Sequence, residues 1–209
     1  MYVQIYKYEK QQMSKMNQTT AKTTIIMGHP TPESSLANKT IIEKVEKELE
    51  NVEIRKLGAL YPDYQIDVEA EQQVLLESDV IVLQFPFYWY SVPAILKQWI
   101  DSVFAYNFAY GREGDKLKGK AFIVSTTVGG PQEAYHPTGY NHFRMDDLLR
   151  PLEQTAYLAQ MDFRTPVIGH GMIFVPGVYN TQEEVINRAT RQAERLLSAI
   201  REAVPQPVQ

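Results

Sequence analysis

A chain of 209 residues, 44% of them apolar, is long enough for one domain with a sizeable core and too apolar to remain disordered. Its 21 basic and 25 acidic residues give a net charge of −4, with no long block of either sign, so nucleic acid and anionic lipid are not expected partners. The lack of cysteine excludes disulfides, thiolate metal sites and thiol nucleophiles. No apolar run approaches the roughly 18 residues that a membrane span requires, and the N-terminus has no signal-peptide pattern, so a soluble, cytoplasmic protein without membrane insertion is expected.

Residues 1–22 are polar and rich in Gln, Lys and Thr, and read as a loosely ordered N-terminal arm outside the fold. The domain is expected over 23–209. Thr24 to Met27 forms a short buried strand ending at Gly28. Ser35 caps a helix over 36–50, with Ile41, Ile42, Val45 and Leu49 on one face. A strand over 52–57 and a helix over 67–78 follow. Asp79 to Phe85 is a continuous apolar run, the pattern of a strand buried on both faces of a parallel sheet. Pro93 opens a helix to about Phe104. Ala121 to Thr127 is the fourth strand, and 146–160 the fourth helix, with Pro151 expected to bend it. Phe163 to Ile168 is the fifth strand, and Thr181 caps a last helix over 183–203. Strands alternating with helices in this way predict an α/β fold with an open five-stranded parallel sheet and helices on both faces.

In such sheets ligands bind beyond the carboxyl ends of the strands, at the switch point in strand order. That rule selects three loops. The first, GHPTPESSLAN over 28–38, lacks both the G-x-G-x-x-G fingerprint and the G-K-[ST] of a P-loop. It offers hydroxyls, His29 and a helix N-terminus, which suit a phosphate. Taken alone, the simpler reading is preferred there: Ser35 as an ordinary cap and His29 on the surface. The second loop carries Phe87, Tyr88, Trp89 and Tyr90 directly after Pro86. The third, TTVGGP over 126–131, places two glycines and two threonines past a strand end, where backbone N–H groups can face an acceptor. Together the loops describe a crevice for a flat heteroaromatic ring anchored by phosphate.

The stretch QFPFYWYSVPAILKQWIDSVF over 84–104 resembles the signature segment of the flavodoxin-like NAD(P)H:quinone oxidoreductases, the DT-diaphorase group and its smaller bacterial relatives. GHPTPESSLAN and TTVGG resemble that family's other two flavin-contacting segments, in the same order. The resemblance spans roughly residues 23–177. It implies a flavodoxin-like fold and a flavin cofactor, FMN rather than the alternative FAD. His29, Ser35, Leu36 and Asn38 would hold the phosphate, and Pro86, Phe87, Tyr88, Trp89 and Tyr90 would line the ring. Thr126, Thr127, Gly129 and Gly130 would contact its pyrimidine end. It also implies a tyrosine and a histidine beside the reduced flavin, matched by Tyr135 and by His142, with His136 a rival. The implied activity is ping-pong hydride transfer from NAD(P)H through flavin to a quinone, in a homodimer with the site at its interface. No metal is required.

Three other readings compete with this one. Some small relatives act as ancillary subunits of glutathione-gated potassium-efflux transporters. A flavodoxin-type electron carrier would need a T-x-T-G-x-T loop, and a receiver domain would need acidic residues after the first strand; both are missing. For the aromatic residues Trp99 and Phe104, helix core and dimer surface are equally good readings. His170, in Gly-His-Gly after the fifth strand, reads as a turn residue.

Overall fold

Every residue of the runs Thr23–Met27, Val80–Pro86 and Ala121–Thr127 is buried in the computed structural model, which a strand allows only when both faces of its sheet are covered. The structure describes residues 21–204, so the arm expected over 1–22 lies outside the described residues apart from Ala21 and Lys22. In chain order the elements are β1 (Thr23–Met27), α1 (Leu36–Glu48), β2 (Val52–Lys56), α2 (Val68–Glu77), β3 (Val80–Pro86) and α3 (Ala94–Val103). They continue with β4 (Ala121–Thr127), α4 (Met145–Leu158), β5 (Asp162–Phe163), β6 (Val167–Gly169) and α5 (Gln182–Ala203). A single helical turn, Leu57–Leu60, follows β2 where the sequence pattern continues the strand to Leu57.

The strands pair in parallel in the order β2-β1-β3-β4-β5, with β6 also on β4. Strand order therefore reverses between β1 and β3, and the crevice at that switch point is where a ligand is expected. Alternation along the strands divides the core in two. Ile26, Ile81, Leu83, Phe85, Phe122 and Val124 face α2, α3 and α4, whereas Ile25, Met27, Val80, Val82 and Ile123 face α1 and α5. The expected architecture is borne out.

The fifth strand departs from expectation: it is two short pieces. Three residues, Arg164, Thr165 and Pro166, lie opposite only two of β4, Ile123 and Val124. Pro166 has no N–H to contribute to a ladder, so the pairing breaks into a bulge there and resumes at Val167. The helix α4 runs through Pro151, at a point where proline removes one intrahelical hydrogen bond.

The inner face of α2, against α3, carries a fully buried carboxylate, Glu71. It accepts hydrogen bonds from Arg55 Nε (3.0 Å) and Nη2 (2.5 Å), from the Tyr61 hydroxyl (2.6 Å) and from Trp99 Nε1 (2.8 Å). A charge so far from water is tolerable only because four donors surround it. Trp99 and Phe104 are accordingly core residues, whereas Tyr106 and Tyr110 stay exposed.

Candidate functional site

The three selected loops meet at the carboxyl ends of β1, β3 and β4, and specific bonds hold them together. The first and third are joined through Asn38, whose Nδ2 donates to Ser35 Oγ and to Thr127 Oγ1, both at 3.0 Å. Its Oδ1 accepts from Gln84 Nε2 at 2.7 Å. The second and third are joined where Phe87 N donates to Thr127 O at 2.8 Å and the Phe87 ring meets Tyr135 edge-on at 6.4 Å. The first and second are joined by His29 and Tyr88, with the Tyr88 hydroxyl 3.3 Å from Nε2.

His29 is not on the surface: only 6% of it is exposed. Its Nδ1 accepts from Thr31 N at 3.0 Å, and burial holds its pKa below the usual histidine value. The ring is therefore neutral with its proton on Nε2, donating to Tyr88. Asn38 is likewise buried, and Thr126 and Thr127 use their hydroxyls inside the protein, Thr126 Oγ1 donating to Phe85 O at 3.0 Å. These four side chains shape the crevice from behind.

What faces outward is largely backbone. Ser35 caps α1 through its bond to Asn38 N, leaving the N–H groups of Leu36 and Ala37 without acceptors among the described residues, as at any helix start. Among the described residues, Trp89 and Tyr90 N–H, and those of Gly129 and Gly130, also have no hydrogen-bond acceptor. Gly28 is required for another reason: a Cβ there would lie 2.7 Å from Leu96 Cβ, so α3 closes directly against the end of β1.

The aromatic loop is a tight turn. Tyr88 and Ser91 exchange two backbone hydrogen bonds, 3.1 and 3.0 Å, and the two residues between them have positive φ, 47° at Trp89 and 62° at Tyr90. This is the type I′ pattern, normally filled by Asn-Gly. Placing two aromatic residues there costs about 1–3 kcal/mol each. The strain presents Trp89 to solvent with 92% of its surface exposed, and the Tyr90 hydroxyl reaches Asn141 Oδ1 at 2.9 Å. Pro86 ends β3 buried, opposite Thr127.

Tyr135 continues the aromatic wall, and burial raises the pKa of its hydroxyl, helped by Tyr90 and Tyr140. It stays a protonated donor at neutral pH. The histidine beside it is His170, whose ring centroid lies 5.4 Å from that of Tyr135. Burial lowers the His170 pKa, opposed in part by the Gly130 backbone, and its Nδ1 is buried without a hydrogen-bond partner among the described residues. His142 is exposed on the following loop with φ of 62°, and His136 is exposed with Nδ1 3.1 Å from Thr138 Oγ1. His170 was legible as another residue at a strand's carboxyl end; only a packed ring distinguishes it from a turn residue. Gln84 and Asn141 had no such signal. Among the described residues no cluster of metal-ligating side chains is present.

Donors at a helix start and an exposed aromatic turn fit a phosphate-bearing flat ring. A family model described as "Flavodoxin-like fold" matches residues 21–197. The chain belongs to that family. It is 45% identical over 147 residues to the glutathione-regulated potassium-efflux system ancillary protein KefG of Pectobacterium carotovorum, covering 70% of this chain and 80% of that one. Its fold matches general stress protein 14 of Treponema denticola, solved in complex with FMN, with TM-score 0.76 and 34% identity over 86% of this chain and 99% of that one. An NADPH-quinone reductase from P. pentosaceus matches with TM-score 0.70 and 28% identity, covering 90% and 99%. The expected kinship with the NAD(P)H:quinone oxidoreductases is borne out.

Proposed function

We propose that the protein is a cytoplasmic FMN-dependent NAD(P)H:quinone oxidoreductase working by a ping-pong mechanism. The observation that carries it is the convergence of free N–H donors at the start of α1 with an exposed, strained aromatic turn at the sheet's switch point. A bound flavin would supply two-electron transfer between the nucleotide and the quinone. The chain's own groups bind and orient it. Leu36 and Ala37 N–H, with Ser35, would take the phosphate. Pro86, Phe87, Tyr88, Trp89 and Tyr90 would wall the ring and leave an open aromatic face on which two flat substrates stack in turn. The N–H groups of Gly129 and Gly130 and the protonated Tyr135 hydroxyl would face the negative end of the reduced ring. His170 is the histidine the fold holds against Tyr135. His142 is exposed on the loop beside Asn141, which Tyr90 contacts, and would have to turn inward to reach the ring. FMN rather than FAD is supported by the FMN complex of the T. denticola relative.

An apolar groove between α3 and α4, about 170 Å³ and lined by Phe87, Tyr90, Val92, Ile100, Leu148 and Leu152, begins at the aromatic turn. A homodimer seated there would place the site at its interface, and sedimentation at micromolar concentration tests it. The similarity to KefG supports a second reading, an ancillary oxidoreductase subunit of a potassium-efflux transporter. Co-purification with such a transporter tests that.

The main experiment is an absorption spectrum of the purified protein followed by anaerobic NADPH. Flavin bands that bleach on mixing and return with benzoquinone are expected, and flavin released by heating distinguishes FMN from FAD. A protein that stays colourless after incubation with either flavin overturns the reading.

A further inference from the structure

Across the third loop from the crevice, the end of β6 and the helix α5 border a second cavity, open to solvent, of about 710 Å³. Ile168, Gly169 and Met172 supply its apolar lining, and Arg188, Arg191, Arg195 and one carboxylate, Glu194, its charge, a net excess of two positive charges. The arginines stand three and then four residues apart, a single stripe on α5. Among the described residues none of the three forms an ion pair with a carboxylate, although the Arg188 charge acts on Glu184 one turn away; Glu194, in the same lining, pairs with Lys44 at 3.6 Å.

Two of the guanidiniums are held in place by neutral oxygens. Arg188 Nη1 donates to Gly171 O at 2.8 Å and to Asn180 Oδ1 at 2.6 Å, and Arg195 Nη2 donates to Ile168 O at 2.6 Å. These bonds fix position without neutralising charge. Gly171 has φ of 66°, and a Cβ on it would come within 3.2 Å of Arg188 Nη1, so the backbone approach to the guanidinium depends on glycine. Three like charges on adjacent turns repel one another, a cost that a bound anion offsets. The planar fork of arginine matches the oxygens of phosphate. An adjoining cavity of about 820 Å³ shares Gln132, Ile168, His170 and Arg195 with the first and extends to Tyr135 of the crevice.

We propose that this cavity is a binding site for a phosphate group, held by Arg188, Arg191 and Arg195 and carried on a ligand whose body lies along Ile168 and Met172. Two sources of that phosphate are to be distinguished. One is the 2′-phosphate that separates NADPH from NADH, reached through the adjoining cavity; this source rests on the reductase reading. The other is a separate phosphate-bearing molecule, for which the site is a regulatory one.

The test uses the flavin-loaded protein, so that the crevice is already filled. Binding of 2′,5′-ADP and of inorganic pyrophosphate is measured by calorimetry for the wild type, R191Q and R195Q. Tighter binding of 2′,5′-ADP, weakened at least tenfold by either substitution, supports the site with NADPH as source, and the NADPH KM then rises by a similar factor while the NADH KM does not. Pyrophosphate binding with the same sensitivity, and no preference for 2′,5′-ADP, supports a separate phosphate ligand. Absence of binding by both probes, or binding that both variants retain, overturns the proposal. Oxidation of NADH by the wild type tests the reductase reading independently. A protein that oxidises NADH yet binds neither probe refutes the cavity alone, and arginine-dependent binding without nucleotide oxidation refutes the reductase alone.

Discussion

Asn38 is the residue on which the crevice most depends, and replacing it with leucine, a side chain of similar size, exposes that dependence. The substitution removes the bonds to Ser35 Oγ and Thr127 Oγ1 and takes the acceptor from Gln84 Nε2. Gln84 is fully buried and its Oε1 already lacks a protein partner, so its amide is left with no partner at either end. The net value of a hydrogen bond is about 1 kcal/mol, and a buried orphaned donor costs about 1–3 kcal/mol. Ser35 can recover a partner from water, so the expected loss is about 3 kcal/mol. For a chain of this size that lowers Tm by about 6–12 °C. Thermal unfolding of the flavin-free protein measures this, and fluorescence titration with FMN is expected to show about tenfold weaker binding. The decisive variant is N38L/Q84L. Removing both partners of a buried bond is much less costly than removing one, so the double substitution is expected to recover about 1–2 kcal/mol. Additive losses in the double variant would refute the argument that the orphaned amide carries the cost.

Three further outcomes are expected. Replacing Trp89-Tyr90 with Asn-Gly relieves the strained turn and raises stability by about 1–2 kcal/mol, while quinone reduction falls at least tenfold; an unchanged rate would show that the exposed aromatics do not serve the site. Burial and Glu71 push the Tyr61 pKa up to about 12. The stabilisation from keeping that hydroxyl protonated is present below pH 10 and lost as pH rises through 12, so wild type loses about 2–3 kcal/mol more than Y61F over that window in urea unfolding. His29 and His170 both have pKa values lowered by burial. Their contribution is present above the ordinary histidine pKa and lost as pH falls below it, so H29Q and H170Q are each expected to flatten the decline in Tm toward pH 5. A decline as steep in both variants as in wild type would rule these rings out as its source.

Local chemistry carried by consecutive residues is legible in the sequence itself. The apolar runs of β1, β3 and β4 announce strands covered on both faces, because only a buried strand dispenses with polar alternation. Ser35 and Thr181 mark helix starts, and their side chains cap as expected. The alternation of strand and helix implies a parallel sheet, and that in turn selects the three loops. Hidden from the sequence are pairings between distant residues. Nothing local says that Asn38 meets Thr127 and Gln84, that Glu71 is ringed by Arg55, Tyr61 and Trp99, or that His29 lies under Tyr88. Pro166 is visible, but whether it sits at an edge or breaks a ladder depends on what β4 presents opposite it. The same holds for the histidines. His142, His136 and His170 are chemically identical in sequence, and only the packing of the third loop against β6 brings one of them to Tyr135. Composition and periodicity determine where a ligand can bind, since both act through neighbouring residues; which side chains face it and which brace it from behind is decided by contacts that close across the sheet.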